Sequence, residues 1–189
     1  FQTSHITQIS RIHSENFVWL DKFTIRNLEL FSTGYGDGKS LVDVLDDTRT
    51  AMGARLLRRY VAFPLKSIDA INSRLNVVDS FFREPEIKDT LLSQLSDVGD
   101  LERLVSKIAV LRVNPREVVQ LKVALTAIEQ IQQLLRSSSS EDFNALAEKL
   151  SPLTEIRDKI HSWIEIDPPI AVNRGKVIRE GVDAELDEY

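Results

Sequence analysis

The chain contains no cysteine. Disulfides, thiolate zinc sites and thiol catalysis are excluded at once. It also lacks any apolar run approaching about 18 residues, so no segment reads as a membrane-spanning helix. An excess of basic charge is missing too. Against 24 Lys and Arg stand 29 Asp and Glu, a formal charge of −5. A free-standing duplex binder neutralises phosphates with a basic face. This balance argues against a large autonomous DNA-binding surface and leaves room for a few local contacts. His5, His13 and His161 are scattered, with no His or carboxylate neighbours at metal-ligand spacing. No serine sits in a Gly-x-Ser-x-Gly elbow. Catalysis by these residues is not expected, and no catalytic, cofactor-binding or metal-binding residue is assigned.

What is present suits a soluble, packed, mainly helical protein. Of the 189 residues, 42% are apolar, enough to bury a sizeable core. Met52, Leu56, Leu57, Tyr60 and Val61 share one face of a helix over 48–61, which Pro64 ends. Ser67 caps the next, where Ile68, Ile71, Leu75, Val78 and Phe82 recur at spacings of three and four. Glu84-Pro85 breaks that helix and starts another, with Ile87, Leu91, Leu92 and Leu95 inward. After Gly99, Leu101, Leu104, Val105, Ile108 and Leu111 mark a fourth.

Asn114-Pro115-Arg116-Glu117 is the strongest helix start in the chain. Asn114 can accept from first-turn amides, Pro115 suits the first helical position, and Glu117 completes a box-like pair. The helix it opens runs to about Arg136, with Val118, Leu121, Leu125, Ile128 and Leu135 as its stripe. Roughly 22 residues at 1.5 Å each give a rod of about 33 Å. Ser137 to Ser140 reads as a hinge or loop. Two shorter helices carry Phe143, Leu146 and Leu150, then Leu153, Ile156, Ile160 and Trp163, with Ser151-Pro152 as the cap between them. Pro168-Pro169 ends the helical part.

A few short strands are expected near both ends. They are His5 to Ile9, Phe17 to Leu20, part of Arg26 to Phe31 (strand or short helix, read as strand), and a hairpin of 170–172 and 176–178 around Asn173-Arg174-Gly175. Asp183 to Tyr189 reads as an N-cap and the first turn of a longer helix, so the natural protein is expected to continue at both ends.

Gly38-Lys39-Ser40 resembles the end of a phosphate-binding loop. That loop needs a glycine at position 33, where Thr33 stands, and Gly34 is one place too late. The 34–38 stretch therefore reads as a flexible connector, not a nucleotide site. It fails as a dinucleotide fingerprint as well. Arg49, Arg55, Arg58, Arg59 and Lys66 form the densest basic stretch, read as a solvated, ion-paired face before a phosphate contact.

One resemblance goes further. The run Leu20-Asp21-Lys22-Phe23-Thr24-Ile25-Arg26-Asn27-Leu28-Glu29-Leu30 is similar to the opening of the MutS core domain. Ser40-Leu41 and Val44 to Leu57 resemble its next segment, with Pro64-Leu65, Arg74-Leu75 and Val98-Gly99-Asp100-Leu101-Glu102-Arg103 following in order. Gly181 and Glu185-Leu186-Asp187-Glu188 resemble the stretch before that family's clamp insertion.

The resemblance implies a multi-helix core, or lever, domain over 20–182. Residues 1–19 would lead in from a connector domain, and 183–189 would begin a helix towards the clamp. It implies that this part is not an enzyme, whereas the whole protein is a cytoplasmic ATPase, nucleoid-associated during repair. The whole would use ATP and Mg, bind mismatched double-stranded DNA through other domains, form a homodimer and meet a MutL-type partner, with no membrane. Arg26, Asn27, Glu29, Gly53, Arg55, Asp100, Glu102 and Arg103 are the signature and hinge candidates. Two other readings stand beside this one. The same core could serve a paralogue acting on recombination intermediates or stalled ribosomes. Alternatively, the chain could be a helical protein-interaction module.

Overall fold

The computed structural model describes residues 14–34 and 36–188. It is mainly helical, as the periodicities predict. Among the described residues the only β pairing is two isolated antiparallel bridges, Phe17 with Leu65 and Ile164 with Ile178. The described residues divide into two compact units, one within 14–85 and one within 86–188. Each is taken by itself.

In the first unit a short 3-10 turn, Ser14–Asn16, leads into the Phe17 bridge. The Val18 amide donates to the Pro64 carbonyl at 2.7 Å, and the Lys66 amide to the Asn16 carbonyl at 3.2 Å. Phe17 and Phe63 meet edge to face, centroids 6.0 Å apart. Only Phe17 of the expected 17–20 strand is paired, and the expected 5–9 strand lies outside the described residues.

The strand expected within 26–31 is corrected. Asp21 accepts from the Thr24 amide at 2.7 Å and starts α1, Lys22–Asn27, which then runs through the β-branched residues. A local cap outweighs a weak β preference here. Glu29 follows in the left-handed region, φ 50°, and its carbonyl accepts from the Leu41 amide at 3.0 Å. Leu30 is buried and accepts from Val42, which is wholly buried at the start of α2, Leu41–Leu45. Thr50 caps α3, Ala51–Ala62, and Ser67 caps α4, Ile68–Arg83.

The second unit is built on α7, Pro115–Arg136, which has the expected length. Its Ala124, Leu125, Ala127, Ile131 and Leu135 are buried with Phe143 and Ala147 of α8, Glu141–Glu148. Before α7 come α5, Pro85–Val98, and α6, Leu101–Ala109. Gly99 separates them at φ +64°, where a side chain would be strained. The serine run is a bonded turn. Ser138 is buried, its Oγ accepts from the Ser140 amide at 2.9 Å, and Ser140 caps α8.

Three expectations fail locally. Leu111 lies beyond the end of α6 and is 91% exposed. The cap of α9, Thr154–Trp163, is Leu153 in the left-handed region, not Ser151-Pro152. The hairpin partner of 176–178 is not 170–172. The Glu165 amide donates to the Val177 carbonyl and the Arg179 amide to the Trp163 carbonyl, both at 2.9 Å, so the segment leaving α9 takes that place through a single bridge. Pro168 lacks an amide and Pro168-Pro169 forces a wide loop before the return. Asp183 caps α10, Ala184–Asp187, as read.

Candidate functional site

The densest polar construction in the second unit lies where α6 hands over to α7. The sequence Asn114-Pro115-Arg116-Glu117 closes a reciprocal cap. Asn114 Oδ1 accepts from the Glu117 amide at 3.0 Å, and Glu117 Oε2 accepts from the Asn114 amide at 3.0 Å. The other carboxylate oxygen, Oε1, pairs with Lys107 Nζ of α6. The Lys107 hydrogen bond, then the Asn114 amide, hold the Glu117 carboxyl below its ordinary value of 4.5. One carboxylate thus caps a rod and ties it to the helix before it.

The neighbouring residue ties the rod to the far segment. Arg116 Nε donates to the Pro168 carbonyl at 2.9 Å, with its Nη2 3.5 Å from Asp167. Pro115 and Pro168 are both buried. Further along, Arg157 of α9 pairs with Glu129 of α7. Gln132 Nε2 donates to the Ala147 and Leu150 carbonyls at 3.0 and 2.6 Å, closing the end of α8. The rod is therefore gripped at its base and braced along its length.

A cleft of about 500 Å³ opens beside the base, lined by Val98, Asp100, Arg103, Leu104, Lys107 and Glu117 among others. Its lining mixes both signs of charge with Val98, Leu104 and Val123. The Glu117 carboxyl is driven towards ionisation, not poised for proton transfer. Among the described residues no three His, Asp or Glu converge to hold a metal.

The sequence candidates fall into two groups. Asp100 and Arg103 reach the cleft, with Asp100 accepting from the Arg103 amide at 3.2 Å as the cap of α6. Glu102 is exposed on the same helix, and its carbonyl accepts from Ser106 Oγ. The rest lie in the other unit. The Arg26 guanidinium sits 5.7 Å from the Phe23 ring centroid, and Asn27 closes α1. Glu29 holds the Gly34 amide at 3.0 Å as well as the Leu41 amide. Arg55 is exposed on α3. Gly53 lies in the capped first turn of α3, where an added Cβ would come within 3.2 Å of Thr50 Oγ1 and 3.3 Å of Thr48 Cβ.

Ser40, the last residue of the phosphate-loop resemblance, is wholly buried. Its hydroxyl donates to Asp43 at 2.7 Å and accepts from the Asp43 amide, so it is consumed as the cap of α2. Arg58 adds to the field that depresses Asp43 and Asp46, after the larger hydrogen bonds from Ser40 and Thr48 respectively. His5 and His13 lie outside the described residues. The roles of Lys107, Arg116, Gln132 and Arg157 were missed. Apart from the adjacent Arg157–Asp158 pair, their partners lie 10 to 52 residues away, and no local spacing signals such a pairing.

A family profile described as MutS domain III matches residues 23–189. The chain is 50% identical over 187 residues to the DNA mismatch repair protein MutS of Bacteroides fragilis, covering 99% of this chain and 22% of that protein. It is 51% identical over 187 residues to the like-named protein of Bacteroides thetaiotaomicron, with the same coverages. With that of Parabacteroides distasonis the identity is 52% over 185 residues, covering 98% and 21%. The chain spans about a fifth of the length of the curated relatives it matches.

Proposed function

This chain belongs to the MutS family as its domain III, and from that premise we propose that it is the lever of a mismatch-repair ATPase, carrying motion between parts of the polypeptide outside these residues. Mismatched duplex, ATP and Mg, a homodimer partner and a MutL-type repair partner are assigned to the whole protein, working in the cytoplasm. The domain boundaries follow the same assignment, with 20–182 as core and 183–189 leading to the clamp.

The observation that supports this is the 22-residue α7, capped at its base, paired there to α6 and braced by α8 and α9. A close-packed rod shifts as a body, because its interior is poorly compressible. Nucleotide state at one end can then bias clamp position at the other, given two discrete arrangements. The Gly53 turn and the 34–38 connector are assigned as the places of backbone freedom.

The test uses the full-length protein. Lys107→Met with Glu117→Gln removes the base pairing while keeping side-chain length. Basal ATP turnover and duplex affinity should hold, whereas stimulation of turnover by mismatched duplex should fall by roughly fivefold or more. Unchanged stimulation would sink the lever reading. Gly53→Ala combined with a shortened 34–38 loop tests the hinge in the same assay, with the same loss expected.

A further inference from the structure

We propose that Asp37 is a site of spontaneous isomerisation to isoaspartate, a modification that loosens the cap of α2. The proposal does not rest on the lever role. Asp37-Gly38 is the chain's one Asp-Gly pair, and no Asn-Gly occurs. Both residues are exposed, and neither makes a hydrogen bond among the described residues. The reaction needs the amide nitrogen after an aspartate to reach that aspartate's own side-chain carbonyl. Glycine has no Cβ to block the approach and allows the backbone rotation it requires.

The fold itself demands that glycine. A Cβ at Gly38 would stand 2.8 Å from Thr33 Oγ1 and 2.9 Å from Thr33 Cβ, closer than real contacts allow. The other aspartates are protected. Asp21, Asp43, Asp100 and Asp183 are occupied by the backbone amides they accept from at helix starts. The Thr48 amide, which follows Asp47, is taken by Asp46 at 3.2 Å. Pro168, which follows Asp167, has no N–H. In α4, α5 and α9 the amide after each aspartate is held by the helix.

The chemistry balances with water alone. The Gly38 amide nitrogen bonds to Cγ of the Asp37 carboxyl, whose hydroxyl leaves with the amide proton as water. The resulting succinimide then takes up one water. Opening at the side-chain carbonyl restores aspartate. Opening at the α-carbonyl breaks the original peptide C–N bond and routes the chain through Cγ, leaving a free α-carboxylate. The backbone path thereby gains one methylene. Glu29 holds the Gly34 amide at 3.0 Å on one side of it, and wholly buried Ser40 caps α2 on the other. The added length is taken up between these fixed points, lifting Gly38 off Thr33 and pulling on the Ser40 cap.

The experiment uses the full-length protein, held for weeks in warm, neutral, heavy-oxygen water. Peptide 27–39 contains no other aspartate. It should take up heavy oxygen, and electron-transfer fragmentation should place isoaspartate at residue 37, several-fold above every other aspartate of 1–189. Brief trypsin treatment of the still-folded aged protein should cut after exposed Lys39 several-fold faster than in fresh protein. Asp37→Glu, which would need a larger and slower-forming ring, should abolish both changes. No isoaspartate at residue 37, an equal content at the other aspartates, or persistence of either change in Asp37→Glu would each overturn the proposal. So would cleavage after Lys39 that does not rise with the isoaspartate content.

Discussion

Leu111 is one of three described non-glycine residues in the left-handed region, with Glu29 and Leu153. It has φ 54° and is 91% exposed. Its amide donates to the Ile108 carbonyl and the Arg112 amide to the Lys107 carbonyl, both at 2.9 Å. That is the Schellman closure of α6, with leucine at the position where glycine is cheapest. A non-glycine residue there costs about 1–2 kcal/mol. Replacing it with glycine loosens the unfolded chain by about 0.4–1 kcal/mol, which offsets part of the gain. Leu111→Gly should therefore stabilise by roughly 0.5–1 kcal/mol, read as a higher urea midpoint at unchanged slope. A lower midpoint would show that the leucine side chain makes a contact worth more than the strain. The same position explains a misreading. With no glycine to mark the stop, the apolar spacing of α6 continues through Leu111 and the helix reads two residues too long.

At the scale of elements, legibility followed the caps. The starts of α3, α4, α7 and α10 carry Thr50, Ser67, Asn114 and Asp183, and each side chain accepts from its own first turn. Only the last three were picked out as caps. These signals are local, so a sequence displays them. Faces were less legible, because periodicity shows that a stripe exists and not which surface covers it. α9 is the clearest case. Its apolar residues Leu153, Ile156 and Trp163 are about half exposed, while Arg157 is its anchor through Glu129. α8 is the opposite, since Phe143 has no exposed surface and fills the space against α7. Phe143→Ala should cost about 3–5 kcal/mol, the usual range for a buried aromatic truncated to a cavity. The loss should appear in equilibrium unfolding of the second unit, with a smaller one for Phe143→Leu. A cost under about 1 kcal/mol would mean that α8 adds little to the core.

For the whole molecule, the fold class and its helices were readable, whereas the site at the base of α7 was only half so. The cap at Asn114 and Glu117 showed in the sequence; the clasp by Lys107 and Arg116 did not, because it exists only once α6 and the 164–179 loop are folded back. That clasp and the other caps set a common response to pH. Glu117, held down first by Lys107, and Asp43, held down first by Ser40, titrate below their ordinary 4.5 and 3.8. Asp46 and Asp21 are lowered in the same way by Thr48 and Thr24. A carboxyl with a depressed folded value contributes stability above its unfolded value and loses it as pH falls through the folded one. Lys176, raised above 10.5 by Glu180, contributes below that value and is lost as pH rises through the folded one. Stability should be flat across the neutral range and fall in acid from about pH 4.5 downward. Because these groups lie near solvent, added salt should make the acid limb shallower. Glu117→Gln combined with Asp43→Asn removes two of the depressed carboxyls. Urea midpoints measured from neutral pH into acid should then decline less steeply than those of the unsubstituted chain. An acid limb of unchanged slope would mean that these caps are formed equally in the unfolded chain, or that other carboxyls carry the response.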